Sequence, residues 1–149
     1  MIYLLDTDLL IFMIRGLKVT ARRARQRQQT AVLLDRCRQA QVAGDSIGLS
    51  AITVSELEFG ARNSARYDEE IAAVEQVLTP FDLYDYDAVV CPKFYGRIRH
   101  ELETSGQTIG SMDMLIAAQA MALDAVLLTN NDSHFSRVTG LKVANWLKS

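Results

Sequence analysis

Four acidic residues stand where an apolar run ends or a helix is predicted to begin, and their side chains suit hard cations. Asp6 follows the first apolar run of the chain, and Glu56 lies shortly after the second. Asp113 opens an apolar helical segment, and Asp132 follows the apolar run next to it. Ligands of open α/β sheets bind outside the carboxyl ends of the strands, and grouped carboxylates favour ions such as Mg²⁺. The sequence therefore predicts a divalent-cation site.

Each acid also has a purely structural explanation. The sequence TVSE at residues 53–56 is a capping-box pattern, in which Glu56 would accept a hydrogen bond from the backbone N–H of Thr53. Asp6 competes with Asp8 to cap the first helix. Asp113 suits a first helical turn, and Asp132 suits a polar turn. These local roles do not explain why four acids share one kind of topological position.

Helix and strand patterns alternate along the chain. Short apolar runs predict strands at residues 2–5, 47–51, 81–84 and 125–129, with a further short strand at 141–144. Helical periodicity predicts helices at residues 8–14, 19–42, 54–62, 67–78, 88–103 and 112–123, the first of them ended by Gly16. This alternation is typical of an α/β sandwich with a mostly parallel sheet.

Composition bounds the class of protein. The chain has 149 residues, 49% of them hydrophobic, and two prolines, which predicts one domain over residues 1–149. Cys37 and Cys91 belong to no Cys/His cluster, so neither a disulfide framework nor a zinc site is expected. We expect a cytoplasmic protein without a membrane partner, because no signal peptide fits the start and no apolar stretch approaches the ~20 residues that span a bilayer.

Positive charge is concentrated in one segment. Residues 15–38 contain eight of the 16 basic residues and one of the 18 acidic residues. This basic arm is either a solvated helix or a surface that binds RNA phosphates or an acidic partner.

Four separated motifs resemble those of the PIN-domain ribonucleases, and among these the VapC toxins. They occur in the family's order, at roughly its spacing and across nearly the whole chain: LLDTD at residues 4–8, SAITVSELEFGA at 50–61, GSMDMLIAA at 110–118 and LTNN at 128–131. Asp8 stands where the family usually has Asn, and an aspartate caps a helix equally well.

The resemblance implies a PIN-like three-layer α/β/α sandwich with a short, mostly parallel central sheet. It implies an Mg²⁺- or Mn²⁺-dependent endoribonuclease, the toxin of a toxin–antitoxin pair, that forms a homodimer. A VapB-type antitoxin would block the site and carry the pair to operator DNA. The family's metal ligands fall on Asp6, Asp113 and Glu56. The fourth site residue is Asn131 or, if the loop turns it inward, the adjacent Asp132.

General chemistry then predicts the roles of the remaining residues. One or two bound ions would polarise a phosphodiester and lower the pKa of a bound water, so a histidine is not required. His134 is near the predicted site in sequence but is interpreted as a surface loop residue. Side chains that can orient carboxylates or water are Thr7, Ser50, Thr129 and Asn130.

Two other functions are alternatives to a PIN-domain ribonuclease. The residues around Asp6 and those at 128–130 are also similar to motifs of haloacid-dehalogenase-like phosphohydrolases. That family has a lysine and then an acidic pair further downstream, whereas no acid follows Asp132, so the order of the residues rejects this alternative. A non-catalytic PIN-like module would bind a protein or nucleic acid without cleaving it, and the retained carboxylates count against it.

Overall fold

A sheet of five parallel strands forms the middle layer of the protein. The computed structural model describes residues 1–18 and 24–148. The strands are β1 (Ile2–Leu5), β2 (Ser46–Ser50), β3 (Asp82–Tyr84), β4 (Val126–Leu128) and β5 (Lys142–Ala144). Their order across the sheet is β3-β2-β1-β4-β5, and every neighbouring pair is parallel. The sheet predicted as mostly parallel is thus wholly parallel across the described strands.

Helices cover both faces of this sheet. They are α1 (Thr7–Leu17), α2 (Ala24–Val42), α3 (Ala51–Asn63), α4 (Tyr67–Leu78), α5 (Val90–Thr104), α6 (Ser111–Ala122) and the short α7 (Asp132–Phe135). Buried side chains of α1, α2 and α4 form the apolar core on one face, and those of α5 and α6 form the core on the other. The three-layer α/β/α sandwich is confirmed. None of the described helices is long and apolar enough to cross a membrane.

The inner strands β1 and β4 are apolar throughout because both of their faces are covered. Successive side chains of a strand point to opposite faces, so Leu5 enters one core and Leu4 enters the other. In β4, Leu128 and Leu127 divide in the same way. Continuous apolar runs are typical of such doubly covered strands, and this explains why β1 and β4 were predicted within one residue.

Helix α1 differs from its prediction at both ends. Asp6 is its N-cap, since the carboxylate accepts a hydrogen bond from the Leu9 backbone N–H at 2.8 Å. The helix also continues past Gly16 to Leu17. A Cβ atom at Gly16 would lie 2.0 Å from the Thr30 hydroxyl oxygen. This glycine therefore allows the close approach of α1 to α2, and does not end the helix.

The predicted capping box at residues 53–56 is wrong. Helix α3 begins at Ala51, and its N-cap is Ser50, whose hydroxyl accepts a hydrogen bond from the Ile52 backbone N–H at 2.9 Å. Glu56 consequently lies in the second turn and does not cap the helix. Helix α2 begins at Ala24, and residues 19–23 of the predicted 19–42 helix lie outside the described residues. Helix α7 was not predicted.

Candidate active site

The crevice between the carboxyl ends of β1 and β4 gathers most of the residues singled out from the sequence. Strands β2 and β3, which follow β1 in the chain, lie on one side of β1 in the sheet. The chain then crosses over, so that β4 and β5 lie on the other side of β1. Such a reversal of strand order opens a crevice where ligands bind. The ladder continues one step beyond the strands, because the Asp6 backbone N–H donates to the Leu128 carbonyl at 3.0 Å. Asp6 and Thr129 are thereby brought side by side.

Asp6 lies at the bottom of this crevice with 2% of its surface exposed. One carboxylate oxygen accepts the capping hydrogen bond from Leu9 N–H, and the other accepts a short hydrogen bond of 2.5 Å from the Thr129 hydroxyl. The Thr129 oxygen in turn accepts a hydrogen bond from the backbone N–H of Asn131 at 2.9 Å. This chain of bonds fixes the orientation of the carboxylate.

The pKa of the Asp6 carboxyl is raised from the ordinary 3.8 to about 7. Burial is the main cause, because it removes the ionised form from water. The hydrogen bonds from Thr129 and Leu9 oppose the rise, and the negative charges of Asp8 and Asp113 add to it. A carboxylate with this pKa is an acceptor for a cation or a proton.

Asp113 occupies the third position of α6 and faces the same crevice from the second helical layer. Burial raises the pKa of its carboxyl, and the charges of Asp8 and Glu56 raise it further, while His134 lowers it. Carboxylates affect one another in this way only over short distances. The structure therefore brings together acids that are more than 100 positions apart in sequence.

Glu56 is joined to the crevice through a threonine. The Thr7 hydroxyl donates to Glu56 Oε1 at 2.8 Å, and the hydroxyl oxygens of Thr7 and Thr53 are 3.0 Å apart. Thr7 follows Asp6 directly in the chain. The hydrogen bond consequently ties the helix that carries Glu56 to the strand end that carries Asp6.

The two candidates for the fourth site residue lie in different surroundings. The Asp132 carboxylate accepts hydrogen bonds from Lys148 Nζ at 3.0 Å and Asn145 Nδ2 at 3.2 Å. These bonds, that from Lys148 foremost, lower the pKa of Asp132. Asn131 instead joins the Thr129 hydroxyl through its backbone. The structure thus places Asn131 in the network around Asp6 and places Asp132 against the C-terminal segment.

His134 was interpreted from sequence as a surface loop residue, and this interpretation is wrong. It lies in α7 and is half-buried. Its Nε2 atom is buried and has no hydrogen-bond partner within the described ranges 1–18 and 24–148. Its effect on the pKa of Asp113 places it beside the crevice. Sequence reasoning had no signal for this, because α7 has only four residues.

The donor set fits a hard divalent cation in chemistry. Carboxylate oxygens are the ligands that Mg²⁺ and similar ions prefer, and the raised pKa values of Asp6 and Asp113 mark uncompensated negative charge. Among the described residues, no three or more acidic, His or Cys side chains already form a group arranged to hold an ion. The acids of the crevice are coupled through charge without forming a closed ligand shell.

Several known proteins are similar to this chain over nearly its whole length. The PIN domain family model matches residues 3–141. Ribonuclease VapC1 of Haemophilus influenzae (strain R2866) is 32% identical over 148 residues, which cover 99% of this chain and 100% of the relative. The tRNA(fMet)-specific endonuclease VapC of Shigella flexneri is 29% identical over 144 residues, or 97% of each chain.

Solved structures share the fold as well. A chain in the crystal structure of VapBC2 from Rickettsia felis, bound to a DNA fragment from their promoter, superposes with a TM-score of 0.84 at 29% identity. The match covers 98% of this chain and 99% of that chain.

Proposed function

The chain belongs to the PIN-domain family of VapC ribonucleases, and from that premise we propose that it is the endoribonuclease toxin of a toxin–antitoxin pair. The observation that carries this proposal is the group of coupled carboxylates at the β1/β4 crevice, centred on buried Asp6. Its substrate is RNA, and its reaction is hydrolysis of a phosphodiester.

The proposed reaction depends on Mg²⁺ or Mn²⁺, held by Asp6, Asp113 and Glu56. A divalent ion bound there supplies charge neutralisation for the phosphate and a water of lowered pKa. Support for this assignment comes from the oxygen donors and from the raised pKa values of Asp6 and Asp113. PIN-domain ribonucleases are in general dependent on divalent metals.

Residues around these ligands orient them. Leu9 N–H and the Thr129 hydroxyl fix the two oxygens of Asp6, and the backbone of Asn131 fixes Thr129. We assign the fourth position of the site to Asn131. We assign Asp132 the role of anchoring the C-terminal segment through Lys148, because its carboxylate already accepts two hydrogen bonds there.

The proposed partners follow from the relatives. Solved relatives are VapBC complexes, one of them bound to promoter DNA. We therefore propose that a VapB-type antitoxin neutralises this chain and brings it to operator DNA. We also propose that the toxin is a homodimer. Its proposed location is the cytoplasm, which contains both the RNA and the antitoxin. The basic arm is a candidate for the contact with RNA or antitoxin.

Cleavage of RNA by the purified protein tests the proposal. EDTA should abolish cleavage and added Mg²⁺ or Mn²⁺ should restore it. Asp6→Asn and Asp113→Asn should each remove activity, whereas Asp132→Asn is the matched control and should retain most of it. Full cleavage in EDTA would refute the metal mechanism. A folded wild-type protein that binds RNA but never cleaves it would favour the non-catalytic binding module.

A further inference from the structure

We infer that Thr53 and Thr7 form a directed pair of hydroxyl groups that positions Glu56 to bind the divalent cation. This inference rests on the proposed function, since it concerns the same site. It assigns a role to two buried side chains, Thr7 with 6% and Thr53 with 0% of its surface exposed.

The direction of the hydrogen bonds follows from counting protons. Each threonine hydroxyl has one proton to donate and two lone pairs to accept with. The Thr7 hydroxyl donates its one proton to Glu56 Oε1 at 2.8 Å, because a carboxylate oxygen accepts hydrogen bonds. The 3.0 Å contact between the two hydroxyl oxygens must then have Thr53 as its donor. The order of donation is Thr53 to Thr7 to Glu56.

Other hydroxyl groups of this chain show what an ordinary helical role looks like. The Ser55 hydroxyl donates to the Ala51 carbonyl at 3.1 Å, and that of Thr79 donates to the Glu75 carbonyl at 2.9 Å. Both bond to the preceding turn of their own helix, as is usual. Thr53 instead reaches across to α1, to a residue 46 positions away. The pair therefore serves a contact between two elements rather than the stability of either helix.

This arrangement leaves one oxygen of Glu56 for a ligand. Thr7 holds Oε1, and no residue within the described ranges donates a hydrogen bond to Oε2. A glutamate side chain has several rotatable bonds, and fixing it before binding removes part of the entropy cost of binding. Partners that orient a metal ligand typically change metal affinity by about 10–100-fold. Thr7 is the residue whose loss should show this effect.

Affinity for Mn²⁺, measured by calorimetric titration of the full-length chain, tests the inference independently of RNA cleavage. Thr7→Val keeps the shape and removes the hydroxyl, and should weaken Mn²⁺ binding by about 10–100-fold. Thr7→Ser restores the hydroxyl and should restore the affinity. Thr53→Val should have a smaller effect, because Thr7 still donates to Glu56. Thr30→Val is the matched control, since Thr30 is equally buried and its hydroxyl has no partner within the described residues.

A double-mutant cycle separates positioning from general damage. If Thr7 acts through Glu56, Thr7→Val should cause no further loss of Mn²⁺ affinity once Glu56→Gln is present. Equal losses in both backgrounds would overturn the inference, as would wild-type affinity in a folded Thr7→Val. If Thr7→Val does not fold, the same cycle is run with Thr53→Val. Wild-type Mn²⁺ affinity in a folded Thr53→Val, or an equal loss of affinity with and without Glu56→Gln, then overturns the inference. Failure of the wild type to bind Mn²⁺ would overturn the metal part of the proposed function itself.

Discussion

The stability of the Asp6→Asn variant relative to that of the wild type should increase as the pH rises. The pKa of Asp6 rises from 3.8 to about 7 on folding. Because the folded pKa is the higher one, the stability associated with Asp6 is fully present below the unfolded pKa and is lost as the pH rises toward 7. At about 1.4 kcal/mol per pH unit, the whole loss is about 4 kcal/mol.

About 2.5 kcal/mol of that loss falls between about pH 5 and about pH 8. The amide of Asp6→Asn does not ionise, and it retains an oxygen for the Leu9 N–H. We therefore expect the stability of the variant minus that of the wild type to increase by about 1.5–2.5 kcal/mol over this range. Loss of the Thr129 hydrogen bond to the carboxylate changes the stability of the variant by a similar amount at every pH in this range, so it leaves the pH-dependent difference unchanged.

Urea denaturation of both proteins across this pH range, in EDTA and at one protein concentration, measures the difference. Asp132→Asn is the control, because the pKa of Asp132 is lowered by Lys148. Stability from a lowered pKa is lost only as the pH falls through the folded value, so this variant should track the wild type from about pH 5 to about pH 8. Parallel curves for Asp6→Asn and the wild type would refute the assignment of uncompensated charge to Asp6.

Three further outcomes are expected. Glu56→Gln should lower RNA cleavage greatly, with partial rescue by extra Mn²⁺ and nearly unchanged urea stability; wild-type cleavage would remove Glu56 from the site. Gly16→Ala should destabilise the protein by about 1–3 kcal/mol in urea through overpacking against Thr30, and an unchanged midpoint would contradict that contact. Replacing four arginines of the basic arm with Gln should weaken RNA or antitoxin binding and flatten its salt dependence, and the four are Arg22, Arg23, Arg25 and Arg27. Unchanged binding of both partners would favour the alternative that these arginines only keep the protein soluble.

The fold could be predicted because its signals are local. Strands that are buried on both faces, as β1 and β4 are, produce short apolar runs. All five predicted strands agree with β1–β5 within one or two residues. Helix starts were less predictable where two capping residues compete. Ser50 caps α3 because it is also the last residue of β2, paired with Tyr84 of β3. That pairing is tertiary, so the sequence alone could not prefer Ser50 over Thr53.

For the proposed site, the sequence indicates the carboxylates but not the side chains that surround them. Asp6 and Asp113 stand out by their position after a strand or at a helix start. The contacts that distinguish Asp132 come from Lys148, 16 positions away, and the hydroxyl that holds Glu56 comes from Thr7, 49 positions away. Such pairs have no period or spacing in the sequence. That the 149 residues fold as a single domain stays a prediction.

Among the described residues, four aspartates have shifted pKa values, and the shifts are of two kinds. Asp124 and Asp132 each pair with a lysine, Lys142 and Lys148, and their pKa values are lowered. Asp6 and Asp113 take part in none of the ion pairs within the described residues, and their pKa values are raised.

An acid kept for structure is normally given a partner, because a buried unpaired charge is costly. Unpaired acids that are grouped in a crevice destabilise the folded protein, so their presence indicates that the charge has a function. Carboxylates with shifted pKa values therefore mark functional sites. The same reasoning explains why Asp132, although acidic and adjacent to Asn131, is the weaker candidate. Its charge is already compensated by Lys148, whereas the charge of Asp6 is compensated only when a cation or a proton arrives.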